Sequence, residues 1–105
     1  MALKVILDTD TGVDDALAII LALRSPELDV QAITTVSGNV HVDLCLENVL
    51  RVLTLLKPDR VPLVAKGCDR PLVKPPFSVP SVHGADGLGD LGDHFYGPID
   101  RSALF

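Results

Sequence analysis

At 105 residues with a net charge of −5 and a pI near 4.9, the chain has the length of one domain with a modest core, and it lacks the basic surface of a nucleic-acid binder. Hydrophobic residues reach 48% but aromatic ones only 4%, with no Trp, so the core must be built from Leu, Val, Ile and Ala, as in a parallel sheet flanked by helices. The start Met1-Ala2-Leu3-Lys4 lacks the basic and long apolar regions of a signal peptide and no apolar run reaches membrane-spanning length, so a soluble, cytoplasmic protein without a membrane partner is expected.

Leu3 to Leu7 is a continuous apolar run closed by Asp8, as expected of a strand buried on both faces. Gly12 turns the chain into a helix predicted over about 13–25, stopped by Ser25-Pro26. Its apolar residues Ala16, Leu17, Ile19, Ile20, Leu21 and Leu23 nearly encircle it, which predicts that it is largely buried. Val30 to Val36, rich in β-branched residues, reads as the second strand, followed by a turn at Ser37-Gly38-Asn39. A second helix, over about 41–57, carries Val42, Leu46, Val49, Leu50, Leu53 and Leu56 on one side, puts Asp43, Glu47, Asn48 and Arg51 mostly on the other, and ends before Pro58.

Val61 to Ala65 is the third strand; beyond Lys66-Gly67 regularity fades among Pro71, Pro75, Pro76 and Pro80. Residues 74–96 are expected to form a flexible active-site loop, the most mobile part of the chain, because they combine prolines and glycines with few core candidates. The order of elements gives an α/β fold, a parallel sheet with Rossmann-like βαβαβ order, in a single domain over 1–105. Ligands of such sheets bind beyond the carboxyl ends of the strands, so Asp8, Asp10, Asp14, Asp15 and Asn39 are expected on one rim.

Four aspartates fall within eight residues in Asp8-Thr9-Asp10-Thr11-Gly12-Val13-Asp14-Asp15. Two carboxylates about 4 Å apart repel by roughly 4 kcal/mol at an effective dielectric near 20, a large share of the ~5–15 kcal/mol that holds a domain together. Placement in the first turn of a helix would give Asp14 and Asp15 only ~0.3–1 kcal/mol each and leaves Asp8 and Asp10 unexplained. The cluster therefore asks for a cation or a polar ligand. It is not an EF-hand, since its glycine falls one place early and its twelfth position is Ile19. It also lacks the glycine pattern and lysine of a Walker loop.

The stretch Asp8-Thr9-Asp10-Thr11-Gly12-Val13-Asp14-Asp15-Ala16 resembles the opening of the nucleoside hydrolases, the inosine-uridine-preferring N-ribohydrolases, whose hallmark is a DTDxGxDDA-like motif after the first strand. Ala32-Ile33-Thr34-Thr35-Val36-Ser37-Gly38-Asn39 resembles the family's second strand and asparagine turn. Gly67-Cys68-Asp69-Arg70-Pro71-Leu72 is similar to the stretch after its third strand, and His83-Gly84-Ala85-Asp86-Gly87-Leu88-Gly89 to its HGxxGxG loop. The likeness runs along nearly the whole chain. Thr11 departs from it, standing where proline is common, and family members are several times longer.

The resemblance implies a Ca²⁺-dependent ribonucleoside hydrolase. It gives Asp10 and Asp15 as Ca²⁺ ligands, Asp10 also as the acceptor of a proton from the attacking water, Asp14 and Asn39 as sugar contacts, and Asp8 as support. A later aspartate, a threonine carbonyl and a late histidine of the family have no counterpart up to Phe105, so this chain alone is expected to bind Ca²⁺ weakly and to turn over slowly or not at all. The implied partners are a ribonucleoside substrate and further copies of the chain.

Two other readings stand beside this one. Leu7-Asp8-Thr9-Asp10-Thr11 also echoes haloacid-dehalogenase-type phosphatases, with Asp8 as nucleophile, Asp10 as acid/base and Mg²⁺ as metal; Gly12 and the unused Asp14-Asp15-Ala16 weigh against it. The other is a non-catalytic module that oligomerises because its third strand leaves an exposed edge. His83 reads either as an active-site loop residue or as an exposed loop histidine. His41 and Cys45, one helical turn apart, read as a coincidence of spacing rather than a soft-metal site, and Asp86, Asp90 and Asp93 as a solvated Gly/Asp loop. Cys45 and Cys68 lie outside any CxxC spacing, and reduced thiols are expected, with Cys68 inert.

Overall fold

The computed structural model describes residues 1–78, 80–90 and 98–105. Its elements follow in the order β1 (Leu3–Thr9), α1 (Val13–Leu23), β2 (Leu28–Thr35), α2 (Val42–Leu56), β3 (Leu63–Lys66) and a short α3 (Pro80–His83). The strands make one parallel sheet in the order β1-β2-β3. Parallel neighbours need a crossover, and right-handed crossovers that step the same way along a sheet put both of their helices, here α1 and α2, on one face. The expected α/β class and strand–helix alternation are those of the structure.

The elements shift at their ends for local reasons. β1 runs on through Asp8 and Thr9, which pair with Thr34 and Thr35, so the first aspartate is a strand residue. α1 stops at Leu23, where the Arg24 N–H donates to the Ile20 carbonyl at 3.0 Å and the Ser25 hydroxyl donates to the Leu21 carbonyl at 2.6 Å. Pro26 has no N–H with which to continue. α2 ends at Leu56 and is capped by Lys57, in the left-handed region at φ 48°, just before Pro58.

Ile19, Ile33, Val49, Leu50 and Val64, none more than 1% exposed, form the centre of the core between the helices and one sheet face. On the other face, the register Ile6↔Ala32↔Leu63 makes a row in which Ile6 is 66% and Leu63 55% exposed. α1 is not largely buried, contrary to its all-round apolar pattern. Ala16, Ile19 and Ala22 face the sheet, while Val13, Leu17 and Leu21 are exposed, because among the described residues nothing packs against the far side of the helix. Accordingly Ile19→Ala is expected to cost about 2–5 kcal/mol and Leu17→Gln or Leu21→Gln less than about 0.5 kcal/mol. Urea unfolding checks this, and equal losses at positions 17 and 19 would contradict the packing described.

The bare edge expected at β3 is also corrected. The Val64 N–H donates to the Ala103 carbonyl at 3.0 Å and the Phe105 N–H to the Val64 carbonyl at 2.7 Å, so residues 103–105 lie alongside β3. The edge without a strand partner among the described residues is that of β1.

Candidate active site

Beyond the carboxyl ends of β1 and β2, the turn at 10–12 and the turn at 36–41 meet. The Val36 N–H donates to the Thr9 carbonyl at 3.1 Å, which carries the ladder one bond past the strands. Asn39 then joins the two turns. Its backbone N–H donates to Asp10 Oδ2 at 3.1 Å, and its carboxamide Nδ2 donates to the Asp10 carbonyl at 3.3 Å and to Asp15 Oδ2 at 3.2 Å. Asp15 sits at the third position of α1 and also accepts the Gly12 N–H at 3.0 Å, the carboxylate limb of a capping box, Gly12 having no side chain for the other limb. Two of the four aspartates are thereby drawn together by one asparagine. Each spends Oδ2 on these bonds, and among the described residues no donor reaches either Oδ1.

Gly38 permits this approach, since a Cβ there would lie 2.3 Å from Asp10 Oδ2 and 2.7 Å from Asp10 Cβ. Gly12 does the same on the other side, where a Cβ would come within 2.5 Å of His83 Nδ1 and 2.6 Å of Asn39 Nδ2.

The remaining predicted residues are placed differently. Asp14, its side chain 81% exposed, points out beside His83. His83, 14% exposed, accepts the Val13 N–H on Nδ1 at 3.1 Å, so it belongs to the rim and is not an exposed loop histidine. That nitrogen lies 4.0 Å from Asp14 Oδ1, but a nitrogen accepting a backbone N–H holds no proton for the carboxylate, and we read no ion pair there. Asp8 projects from the open sheet face and accepts the Thr34 hydroxyl at 2.8 Å.

Of the expected loop over 74–96, residues 79 and 91–96, with Asp93 among them, lie outside the described residues. Within the described part, Asp90 Oδ1 accepts the Ala85 N–H at 2.7 Å, and Asp86 Oδ1 accepts the Leu88 and Asp90 N–H groups, each at 2.8 Å, a set of local turns. His41 and Cys45 do not converge. His41 Nδ1 accepts the Asp43 N–H at the start of α2, and the Cys45 thiol donates to the Val40 carbonyl at 3.5 Å. Among the described residues no three His, Cys, Asp or Glu side chains gather closely enough to hold a metal by themselves.

Burial pushes the Cys45 thiol up from its ordinary 9.0 to about 11, and the nearby charges of Asp10 and Asp15 add to the rise. A raised pKa means that the stability tied to the neutral thiol is complete below about 9 and is lost as the pH climbs toward about 11. Cys45→Ala should flatten that alkaline slope. Cys68, expected to be inert, is exposed, so at pH 8 a maleimide should label it and spare buried Cys45, as mass spectrometry of the labelled peptides would reveal.

Sequence reasoning missed two residues here. Asn48, expected on the polar side of α2, is 0% exposed. Its signal was available: positions 45, 48, 49 and 52 share one helical face, and the other three are the core residues Cys45, Val49 and Val52. Thr11, also 0% exposed, donates its N–H to Thr9 Oγ1 at 3.1 Å, a bond that proline at this position would forfeit.

The profile of the inosine-uridine preferring nucleoside hydrolases matches residues 5–103. The chain is 56% identical over 88 residues to the pyrimidine-specific ribonucleoside hydrolase RihA of Salmonella arizonae, a match covering 84% of this chain and 28% of that protein. Among solved structures it is similar to an inosine-guanosine nucleoside hydrolase, at TM-score 0.77 and 40% identity over 93% of this chain and 29% of the other. It is likewise similar to a purine-preferring ribonucleoside hydrolase from Gardnerella vaginalis, at TM-score 0.76 and 41% identity over 85% and 29%. The chain thus spans under a third of the length of these relatives.

Proposed function

The chain belongs to the inosine-uridine preferring nucleoside hydrolase family, and from that premise we propose that its rim is the cation- and sugar-binding part of a ribonucleoside N-glycosidase site. The observation that carries this reading is the convergence of Asp10 and Asp15 on Asn39, with an Oδ1 of each carboxylate left for a ligand. Hard carboxylate oxygens suit Ca²⁺, which takes six to eight oxygen ligands, so Asp10 and Asp15 would hold it as part of a larger shell. When bound, such a cation supplies charge stabilisation and a water of lowered pKa.

The rest of the chemistry falls to the chain. Cleaving an N-glycosidic bond passes through an oxocarbenium-like state, which needs a proton acceptor for the attacking water and firm partners for the sugar hydroxyls. Asp10 takes the proton, and the Asn39 N–H on its Oδ2 keeps that carboxylate in place. Asp14, exposed at the start of α1, is free to accept ribose hydroxyls, and Asn39 adds a sugar contact. Asp8 supports the first strand end through Thr34. The phosphatase alternative, with Asp8 as nucleophile, falls with the family membership.

Because two carboxylates are a small share of a Ca²⁺ shell, the 105-residue chain itself should bind Ca²⁺ weakly and release ribose slowly or not at all. The test is a ribose-release assay with uridine, cytidine and inosine on two proteins: this chain, and a chimera joining residues 1–105 to the downstream part of a pyrimidine-specific relative. Ca²⁺-dependent release by the chimera supports the reading. A folded chimera that leaves all three nucleosides intact would refute it, and full activity from the short chain would overturn the partial-shell argument.

A further inference from the structure

Asn48 lies in the second turn of α2, 0% exposed, and neither family membership nor the acidic motif assigns it a role. Both N–H donors and the carbonyl oxygen of its carboxamide are engaged. Nδ2 donates to the Thr11 carbonyl at 3.2 Å and to the Asp86 carbonyl at 2.7 Å, and Oδ1 accepts from Arg51 at 2.9 Å. One buried side chain therefore holds the acidic turn and the 84–90 loop at the same time. Gly87, at φ 85°, makes room for it, since a Cβ there would stand 2.7 Å from Asn48 Nδ2 and 3.3 Å from the Thr11 carbonyl.

The Thr11 carbonyl shares a planar peptide unit with the Gly12 N–H, and that N–H donates to Asp15 Oδ2 at 3.0 Å. Fixing the carbonyl fixes the plane, and fixing the plane aims the N–H that orients the carboxylate. The next peptide is pinned in the same manner, its Gly12 carbonyl by the Ala16 N–H at 3.0 Å and its Val13 N–H by His83 at 3.1 Å. We propose that Asn48 is a positioning residue: by clamping the Thr11–Gly12 peptide against the Asp86 carbonyl, it sets the orientation of the Asp15 carboxylate and couples that orientation to the docked 84–90 loop. The link to cation binding rests on the function proposed above; the positioning itself does not.

The test compares N48L, which keeps the number and branching of the heavy atoms but removes both donors and the acceptor, with Ile33→Val, a core change of modest cost within β2. Amide exchange in the 105-residue chain should accelerate at least about tenfold in N48L relative to I33V at Gly12 and also at Gly89, whose N–H donates to the His83 carbonyl. Acceleration at Gly89 alone would mean that Asn48 only ties down the loop, and unchanged exchange at both would mean that it positions neither; either result overturns the proposal.

A Ca²⁺ titration followed through the Gly12 and Asn39 amide resonances should show affinity about tenfold lower in N48L than in I33V. Equal affinity in the two would also overturn the coupling. If the unsubstituted chain shows no Ca²⁺ response, the function reading loses its support, while the exchange comparison still decides the positioning. Should N48L fail to fold, N48S replaces it. In the unsubstituted chain the Asn48 carboxamide protons should then exchange at least about tenfold more slowly than those of a free asparagine, and rapid exchange would refute the clamp.

Discussion

Asp10→Asn in the chimera should lower kcat by about 10⁴, with substrate affinity far less affected. The substitution preserves size, and its carbonyl oxygen can still accept the Asn39 N–H that Asp10 Oδ2 accepts at 3.1 Å, so the two turns stay joined. What is lost is chemical: the proton acceptor for the attacking water, commonly worth ~10² or more in rate, and a charged cation ligand worth several kcal/mol of transition-state stabilisation. Asp14→Ala should show the opposite division. Its carboxylate is 81% exposed at the mouth of the rim and takes no part in the Asn39 linkage, so the loss should fall mainly on KM. Steady-state kinetics of the two variants checks the pair of expectations, and a D10N enzyme within tenfold of the parent would remove Asp10 from the chemistry.

Gly38→Ala should be nearly as damaging without replacing a charged group. The added methyl would sit 2.3 Å from Asp10 Oδ2, 2.7 Å from its Cβ and 2.9 Å from its Cγ, so the whole Asp10 side chain has to move and its bond to the Asn39 N–H cannot survive. Overpacking of this kind costs about 1–3 kcal/mol in stability, and misplacing the reacting group adds about 10² in rate. Gly89→Ala is the matched control. At φ 69° it carries a comparable conformational cost of about 1–2 kcal/mol, but a Cβ there meets nothing within 4 Å, so stability should fall while Ca²⁺ response and turnover per folded molecule fall less than in Gly38→Ala. Thermal unfolding and ribose release measured on both variants separate the two effects, and equal loss of activity would show that the Gly38 contact is not specific.

The architecture was legible because apolar runs alternating with helical periods leave few options for an α/β chain. The rim was legible because a parallel sheet brings all its carboxyl ends to one side, which puts Asn39 next to Asp10 once the strands are recognised. The burial of α1 was not. An all-round apolar helix looks buried in sequence, and whether Leu17 and Leu21 find a partner depends on elements that the periodicity of α1 does not encode. Asn48 was hidden for the reverse reason. Polarity assigns an asparagine to the solvent side, and it is the helical angle, shared with Cys45, Val49 and Val52, that puts it inside, where the Thr11 and Asp86 carbonyls satisfy its amide. The edge at β3 escaped because residues 103–105 carry too short a pattern to read as a strand-like segment, yet their backbone reaches Val64.

Whether Asp10 and Asp15 hold one cation together at this rim is tested most directly by anomalous diffraction from crystals of the chimera grown in Ca²⁺. The predicted result is one anomalous peak with an oxygen of Asp10 and an oxygen of Asp15 each within about 2.3–2.6 Å. A peak held by Asp8 and Asp10 with Asp15 turned away, or a rim without a peak at saturating Ca²⁺, would contradict it.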